Sequence, residues 1–137
     1  MNNYRLIVDS SCDLPQDYYE KHNIGVTDLI INFGERSYRD RKDITSSEII
    51  KIAKETNIIP KTSALNIADL TDVFAENLKK FDHIFYMPIS SAISSCLNNA
   101  RLAAQQFDGR VTCLDSLSLS SGCALAAMGI IRDMNTD

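Results

Sequence analysis

Nucleic acid finds little to hold in this chain: 14 lysine and arginine residues are scattered among 18 aspartate and glutamate, the formal charge is −4, and no basic stripe forms. Any apolar run long enough to span a bilayer is also lacking. The opening Met1-Asn2-Asn3-Tyr4 leads into a strand without an apolar signal segment, so a soluble cytoplasmic protein with no transmembrane segment is expected. Cys12, Cys96, Cys113 and Cys123 contain no C-x-x-C pair and no clustered zinc spacing, while His22 and His83 stand alone. Neither a metal site nor a disulfide framework is indicated. The motifs G-x-S-x-G, G-x-x-x-x-G-K-[ST] and G-x-G-x-x-G are missing, which removes the motif-level case for a hydrolase, a P-loop kinase or a dinucleotide enzyme. The thiols have no evident base partner, so no catalytic residue and no cofactor is assigned.

What is present is an ordinary globular composition, 45% hydrophobic and 23% charged, in 137 residues suited to one core. Strand and helix signals alternate. Arg5 to Asp9 reads as a buried strand, and Pro15 opens a short helix ending near His22-Asn23. Val26 to Phe33 reads as a second extended run, followed by a turn at Asn32 to Arg36 and an edge hairpin at Ser37 to Arg39. Thr45-Ser46-Ser47-Glu48 fits a capping box for a helix to about Thr56. After Pro60, Lys61-Thr62-Ser63-Ala64 forms a polar approach to a helix with Ile67, Leu70, Val73, Phe74 and Leu78 at helical spacing. His83 to Ile89 and Arg110 to Leu114 read as strands, with a helix from Ser94 to about Phe107 between them. Ser121 to Met134 reads as an amphipathic helix stopping at Asn135-Thr136-Asp137, which either closes the sheet or meets a further domain. The order predicts an α/β fold: a mostly parallel or mixed sheet with helices on both faces.

Three apolar runs end in hydroxyl-rich turns, at Asp9-Ser10-Ser11, at Ser90 to Ser95 with Ser91 and Ser94 among them, and at Asp115-Ser116. If the runs are parallel strands, all three turns lie at the sheet edge where open α/β folds bind ligands. Ser94 and Ser95 stand at a helix start, where unpaired amides and the helix dipole favour an anion. Thr62 and Ser63 occupy the turn after Pro60, and four hydroxyls can converge if the fold brings the two turns together. Serine, threonine and aspartate also cap turns and helices with no ligand involved, so a purely structural role stands beside the anion-binding one.

Several of these segments, in order, resemble motifs of the DegV family, bacterial fatty-acid-binding proteins that include the lipid-carrying partners of fatty acid kinase. Asp9-Ser10-Ser11-Cys12-Asp13-Leu14-Pro15 is similar to its D-S-[ST]-x-D-L-P opening, and Tyr38-Arg39-Asp40 to its Y-x-D. Pro60-Lys61-Thr62-Ser63 is similar to P-x-T-S, Ile89 to Ser94 to I-S-S-x-L-S, and Asp115-Ser116 with Ser121-Gly122 to D-S…S-x-G. The resemblance implies a DegV-like amino-terminal α/β domain over residues 1–137, corresponding to half of a family member, with the expected second domain absent from this chain. It implies a non-catalytic protein of fatty acid metabolism and lipid transport. A long-chain fatty acid such as palmitate would bind with its carboxylate at Thr62 and Ser94 and much of its acyl tail in that second domain, so this chain would hold an incomplete site, and a fatty acid kinase would be the partner. Ser63 and Ser95 are then secondary contacts, with Asp9, Ser10, Ser11, Ser91, Asp115 and Ser116 as scaffold. Two departures stand out: Ser94-Ser95-Cys96 replaces S-G-T, adding a side chain and weakening a donor, and Thr62-Ser63-Ala64-Leu65 replaces T-S-Q-P. The competing readings are an acyl- or phosphoryl-transfer enzyme acting on a small anion, and an interaction fragment that homodimerises through its terminal helix.

Overall fold

The computed structural model describes residues 3–136. Met1 and Asn2, part of the expected polar entry, and Asp137, at the expected stop, lie outside the described residues. The elements run β1 (Tyr4–Asp9), α1 (Gln16–Lys21), β2 (Gly25–Thr27), β3 (Ile30–Phe33), β4 (Arg36–Arg39), α2 (Ser46–Thr56), β5 (Lys61–Ser63), α3 (Ile67–Leu78), β6 (His83–Met87), α4 (Cys96–Ala104), β7 (Val111–Cys113) and α5 (Ser121–Met134).

The strands form two sheets. Four pair in parallel in the order β2-β1-β6-β7, and three pair antiparallel in the order β4-β3-β5. Two sequence expectations need correction. The run from Val26 to Phe33 is two strands, because Asp28 and Leu29 carry the chain from the parallel sheet into the antiparallel one. Lys61 to Ser63 is a strand rather than a helix approach, with Ile31 opposite Thr62 and Ile30 opposite Ser63. Neither correction was visible in hydrophobic pattern, since one run is continuously β-prone and the other is polar.

Side-chain alternation along β1 builds a core on each face of the parallel sheet. Leu6 and Val8 pack with Tyr19 of α1 and with Cys123, Ala127 and Ile131 of α5. Ile7 packs on the opposite face with Leu70 and Phe74 of α3 and Ala100 and Ala103 of α4. Leu70 and Phe74 are fully buried, each contributing about 1.5–3 kcal/mol through apolar area removed from water. The terminal helix α5 therefore closes the sheet. A third, smaller cluster of Ile31, Phe33 and Ile44 lies under α2. Thr45 accepts the Glu48 amide while Glu48 accepts that of Thr45, so the expected capping box is formed. Gly34, at φ +59, opens the two-residue loop joining β3 to β4 and supplies the left-handed conformation a tight hairpin requires. Among the described residues no helix is long and apolar enough to cross a membrane.

Candidate functional site

Parallel pairing puts the carboxyl ends of β1, β6 and β7 at one sheet edge. Three turns leave that edge, and two carboxylates tie them together. Asp9, buried at the end of β1, accepts the amide and hydroxyl of Ser11 through one oxygen and the Ile89 amide through the other, the last at 2.8 Å. Burial pushes its carboxyl above the ordinary aspartate range, opposed by the Ile89 and Ser11 hydrogen bonds. Asp115, after β7, accepts the amide and hydroxyl of Ser91 and the amide of Leu117. The Ser91 hydroxyl and the Leu117 amide hold this second carboxyl below its ordinary range.

The amides of the loop after β6 can be followed one by one. Ile89 donates to Asp9, Ser90 to the Ser118 carbonyl at 3.0 Å, and Ser91 to Asp115 at 3.2 Å. Ala92 donates to the Ser90 hydroxyl at 3.1 Å, and Ile93 to the Ser90 carbonyl at 3.2 Å. Every amide from 89 to 93 is thus engaged by a neighbouring turn or within the loop. The next two are not: among the described residues, the Ser94 and Ser95 amides have no acceptor. Unpaired donors at a helix start create a local demand for an anion or water.

The residues that carry these amides, Ser94 and Ser95, line a cavity of about 370 Å³ together with Thr62 and Ser63. Leu29, Ala64, Ile89 and Ile93 complete the wall, and no lining residue is charged. The four hydroxyl residues of the sequence reading therefore meet in one place. The Ser94 hydroxyl accepts the Cys96 amide at 3.2 Å and turns its proton to the Cys96 sulfur at 3.1 Å, a weak acceptor that a carboxylate oxygen would replace to advantage. Ser63 accepts from the Asn32 side chain at 3.0 Å, and Asn32 accepts from Ser37 at 2.7 Å, a chain across the antiparallel sheet that leaves the Ser63 proton available. The exposed Thr62 hydroxyl has no partner among the described residues.

Ser10, Ser11, Ser91 and Ser116 do not line the cavity. Ser10 is buried and accepts the Leu29 amide at 3.1 Å, which fixes the β2–β3 crossing and with it the Leu29 wall. Ser11 and Ser91 serve the two carboxylates, and Ser116 closes its own turn onto Ser118. Sequence reading gave Leu29 and Asn32 no part in the site, and it began the turn at Asn32, which is a residue of β3. Leu29 looked like one more residue of a long strand, and a lone asparagine carries no signal until its cross-strand neighbours are known.

A slightly larger recess, about 400 Å³, opens between β2 and α3 with Arg5, Asp72 and Glu76 at its edge. The Arg5 guanidinium is already bonded to Asn77 at 2.6 Å and to the Asn23 carbonyl at 3.2 Å, so that recess is ill suited to an anion.

Residues 3–133 match the family described as "Uncharacterised protein, DegV family". The chain belongs to the DegV family. The DegV domain-containing 15.5 kDa protein of Staphylococcus aureus is 33% identical to it over 128 residues, covering 93% of this chain and 90% of that protein. Among solved structures, the one describing fatty acid binding of a DegV family protein from Thermus thermophilus superposes with a TM-score of 0.89 at 32% identity, covering 98% of this chain and 49% of that one. A stearic acid-binding protein from Eubacterium ventriosum gives 0.85 at 29% identity, covering 96% and 47%. The chain spans about half the length of those two proteins and of the first curated relatives it matches. One departure from the DegV motif is conformationally neutral. Ser95, where the family pattern has glycine, sits at φ −82 and ψ 0, open to any residue, so its side chain is added without backbone strain.

Proposed function

We propose that this DegV chain binds a long-chain fatty acid such as palmitate, with the carboxylate held by the Thr62 and Ser94 hydroxyls and the free amides of Ser94 and Ser95. Ser63 and Ser95 give secondary contacts. The observation that carries this reading is the convergence of those hydroxyls with two unpaired amides in one uncharged cavity. The fatty acid binding described for the Thermus thermophilus relative and the stearic acid binding described for the Eubacterium ventriosum one support the choice of ligand.

Energetics favour a carrier. Each buried methylene contributes about 0.8 kcal/mol, so an acyl chain that is buried along its length would supply on the order of 10 kcal/mol before ordering costs, and the head group would then need only to be oriented. Neutral donors do this without the tight ion pair an arginine would make, which leaves the carboxylate open to a fatty acid kinase in the cytoplasm. The protein itself is read as non-catalytic. Burial raises the pKa of Cys96, the thiol beside Ser94, which makes it a poor nucleophile.

Denaturing organic extraction of the purified chain followed by lipid mass spectrometry tests the reading directly. Fatty acid is expected from the wild type and at least tenfold less from Thr62→Ala or Ser94→Ala proteins with an unchanged circular dichroism spectrum. Lipid retained by both variants at the wild-type level would refute the head-group assignment.

A further inference from the structure

The two halves of the head-group cavity come from different parts of the fold. Thr62 and Ser63 ride on β5, which is hydrogen-bonded to β3 in the antiparallel sheet, whereas Ser94 and Ser95 precede α4 after strand β6 of the parallel sheet. A carboxylate that bridges Thr62 and Ser94 needs both segments in register. Among the described residues, one hydrogen bond joins residues 58–66 to residues 88–99: the Asn99 side-chain amide donates to the Leu65 carbonyl at 2.9 Å. The backbone amide of the same residue donates to the Ser95 carbonyl at 3.0 Å. Asn99 therefore grips both hydroxyl-bearing segments at once.

We infer that Asn99 is a positioning residue that sets the separation of Thr62 from Ser94 and so makes two-point capture of the acid head group possible, an inference that rests on the fatty acid reading above. Its grip is rigid at both ends. Leu65 is buried in the core shared by α3 and α4, and Asn99 sits one helical turn below Ser95. Thr62 is three residues from the braced carbonyl, roughly 10 Å of extended chain, so a small rotation at Leu65 becomes a displacement at the hydroxyl. Hydrogen bonds to a carboxylate weaken steeply over such displacements. Without the brace, Thr62 and Ser94 act as separate weak donors instead of one preorganised pair.

A double-mutant cycle on the full chain tests this, using displacement of a fluorescent fatty acid by palmitate with wild type, Asn99→Leu, Thr62→Ala and the double variant. Leucine keeps the branched shape of asparagine, with somewhat more volume, and removes the donor. Each single substitution is expected to weaken palmitate about tenfold, with the double variant within about twofold of the weaker single, because Thr62 contributes only when it is positioned. A merely structural role for Asn99 gives multiplicative losses of about a hundredfold in the double variant, and that result overturns the inference while the fatty acid reading stands. Unaltered palmitate affinity in Asn99→Leu overturns it as well. If Asn99→Leu does not fold, Asn99→Ala enters the same cycle with the same criteria. Should Thr62→Ala and Ser94→Ala both bind palmitate like the wild type, the head-group assignment fails and the brace falls with it.

Discussion

The carboxylate of Asp9 receives the backbone amide of Ile89 at 2.8 Å, bridging 80 residues of sequence. This contact fixes the point where the chain leaves β6 and so where Ser94 comes to rest five residues later. Asp9 also satisfies the Ser11 amide at 3.1 Å, so one buried side chain holds two turns. Asp9→Ala leaves both part-buried amides without their acceptor and is expected to lower the unfolding free energy by about 1–3 kcal/mol. Urea denaturation measures the loss. Fatty acid binding should fall further than stability does, because the loop that carries Ser94 loses its anchor, and binding unchanged in a folded Asp9→Ala protein would contradict that role.

Asp9 and Asp115 clamp the same loop but titrate in opposite directions from the ordinary aspartate value of 3.8. Asp115, stabilised as an anion by the Ser91 hydroxyl and the Leu117 amide, has a folded pKa below that of the unfolded chain. Its contribution is present above pH 3.8 and is lost as pH falls through the lower folded value. Asp9, raised by burial, behaves in reverse: its contribution is full below pH 3.8 and fades as pH rises through the higher folded value. Stability measured against pH should therefore fall less steeply on the acid side in Asp115→Asn, with Glu48, also lowered by its Thr45 hydrogen bonds, keeping part of that fall, and decline less above pH 3.8 in Asp9→Asn, with Asp28, also raised by burial, keeping part of that decline. The two variants exchanging these effects would reverse the assignment.

Much of this arrangement is legible in the sequence, and the exceptions share one cause. The turns after β1 and β7 that carry Asp9 and Asp115 and the capping box at Thr45 and Glu48 depend on local residue chemistry or on parallel topology. The division of Val26 to Phe33 into two strands and the strand character of Lys61 to Ser63 depend on partners far away in sequence. A polar segment such as Lys61-Thr62-Ser63 becomes a strand because β3 offers it an open edge, and tertiary pairing overrides its modest propensity. Asn99 and Asn32 were silent for the same reason, since each acquires its role only from a carbonyl or hydroxyl brought to it by folding.

Gly122 is the position where one added methyl group should do the most to the rim of the site. A Cβ built there lies 1.7 Å from the Ser118 hydroxyl oxygen and 2.8 Å from the Ser118 Cβ, separations no real side chain accommodates. Rotating the Ser118 hydroxyl away leaves the Cβ contact in place, and the Ser118 backbone is restrained because its carbonyl receives the Ser90 amide at 3.0 Å. Its loop also holds Leu117 at φ 47 and Ser120 at φ 54, left-handed conformations that cost on the order of 1–3 kcal/mol each and persist only while the surrounding contacts enforce them. Gly122→Ala is therefore expected to destabilise the protein by about 1–3 kcal/mol, as overpacked sites do, and to raise amide hydrogen exchange at Ser90 and Ser91. Ser118→Ala removes the 1.7 Å clash but keeps the 2.8 Å one, so it should rescue Gly122→Ala only in part, whereas Ser118→Gly removes both. Equal rescue by alanine and glycine would show that the hydroxyl alone is the obstacle and that the loop backbone yields more readily than its two bonds imply, the Ser90 amide to the Ser118 carbonyl and the Ser120 amide to the Ser11 carbonyl, each 3.0 Å.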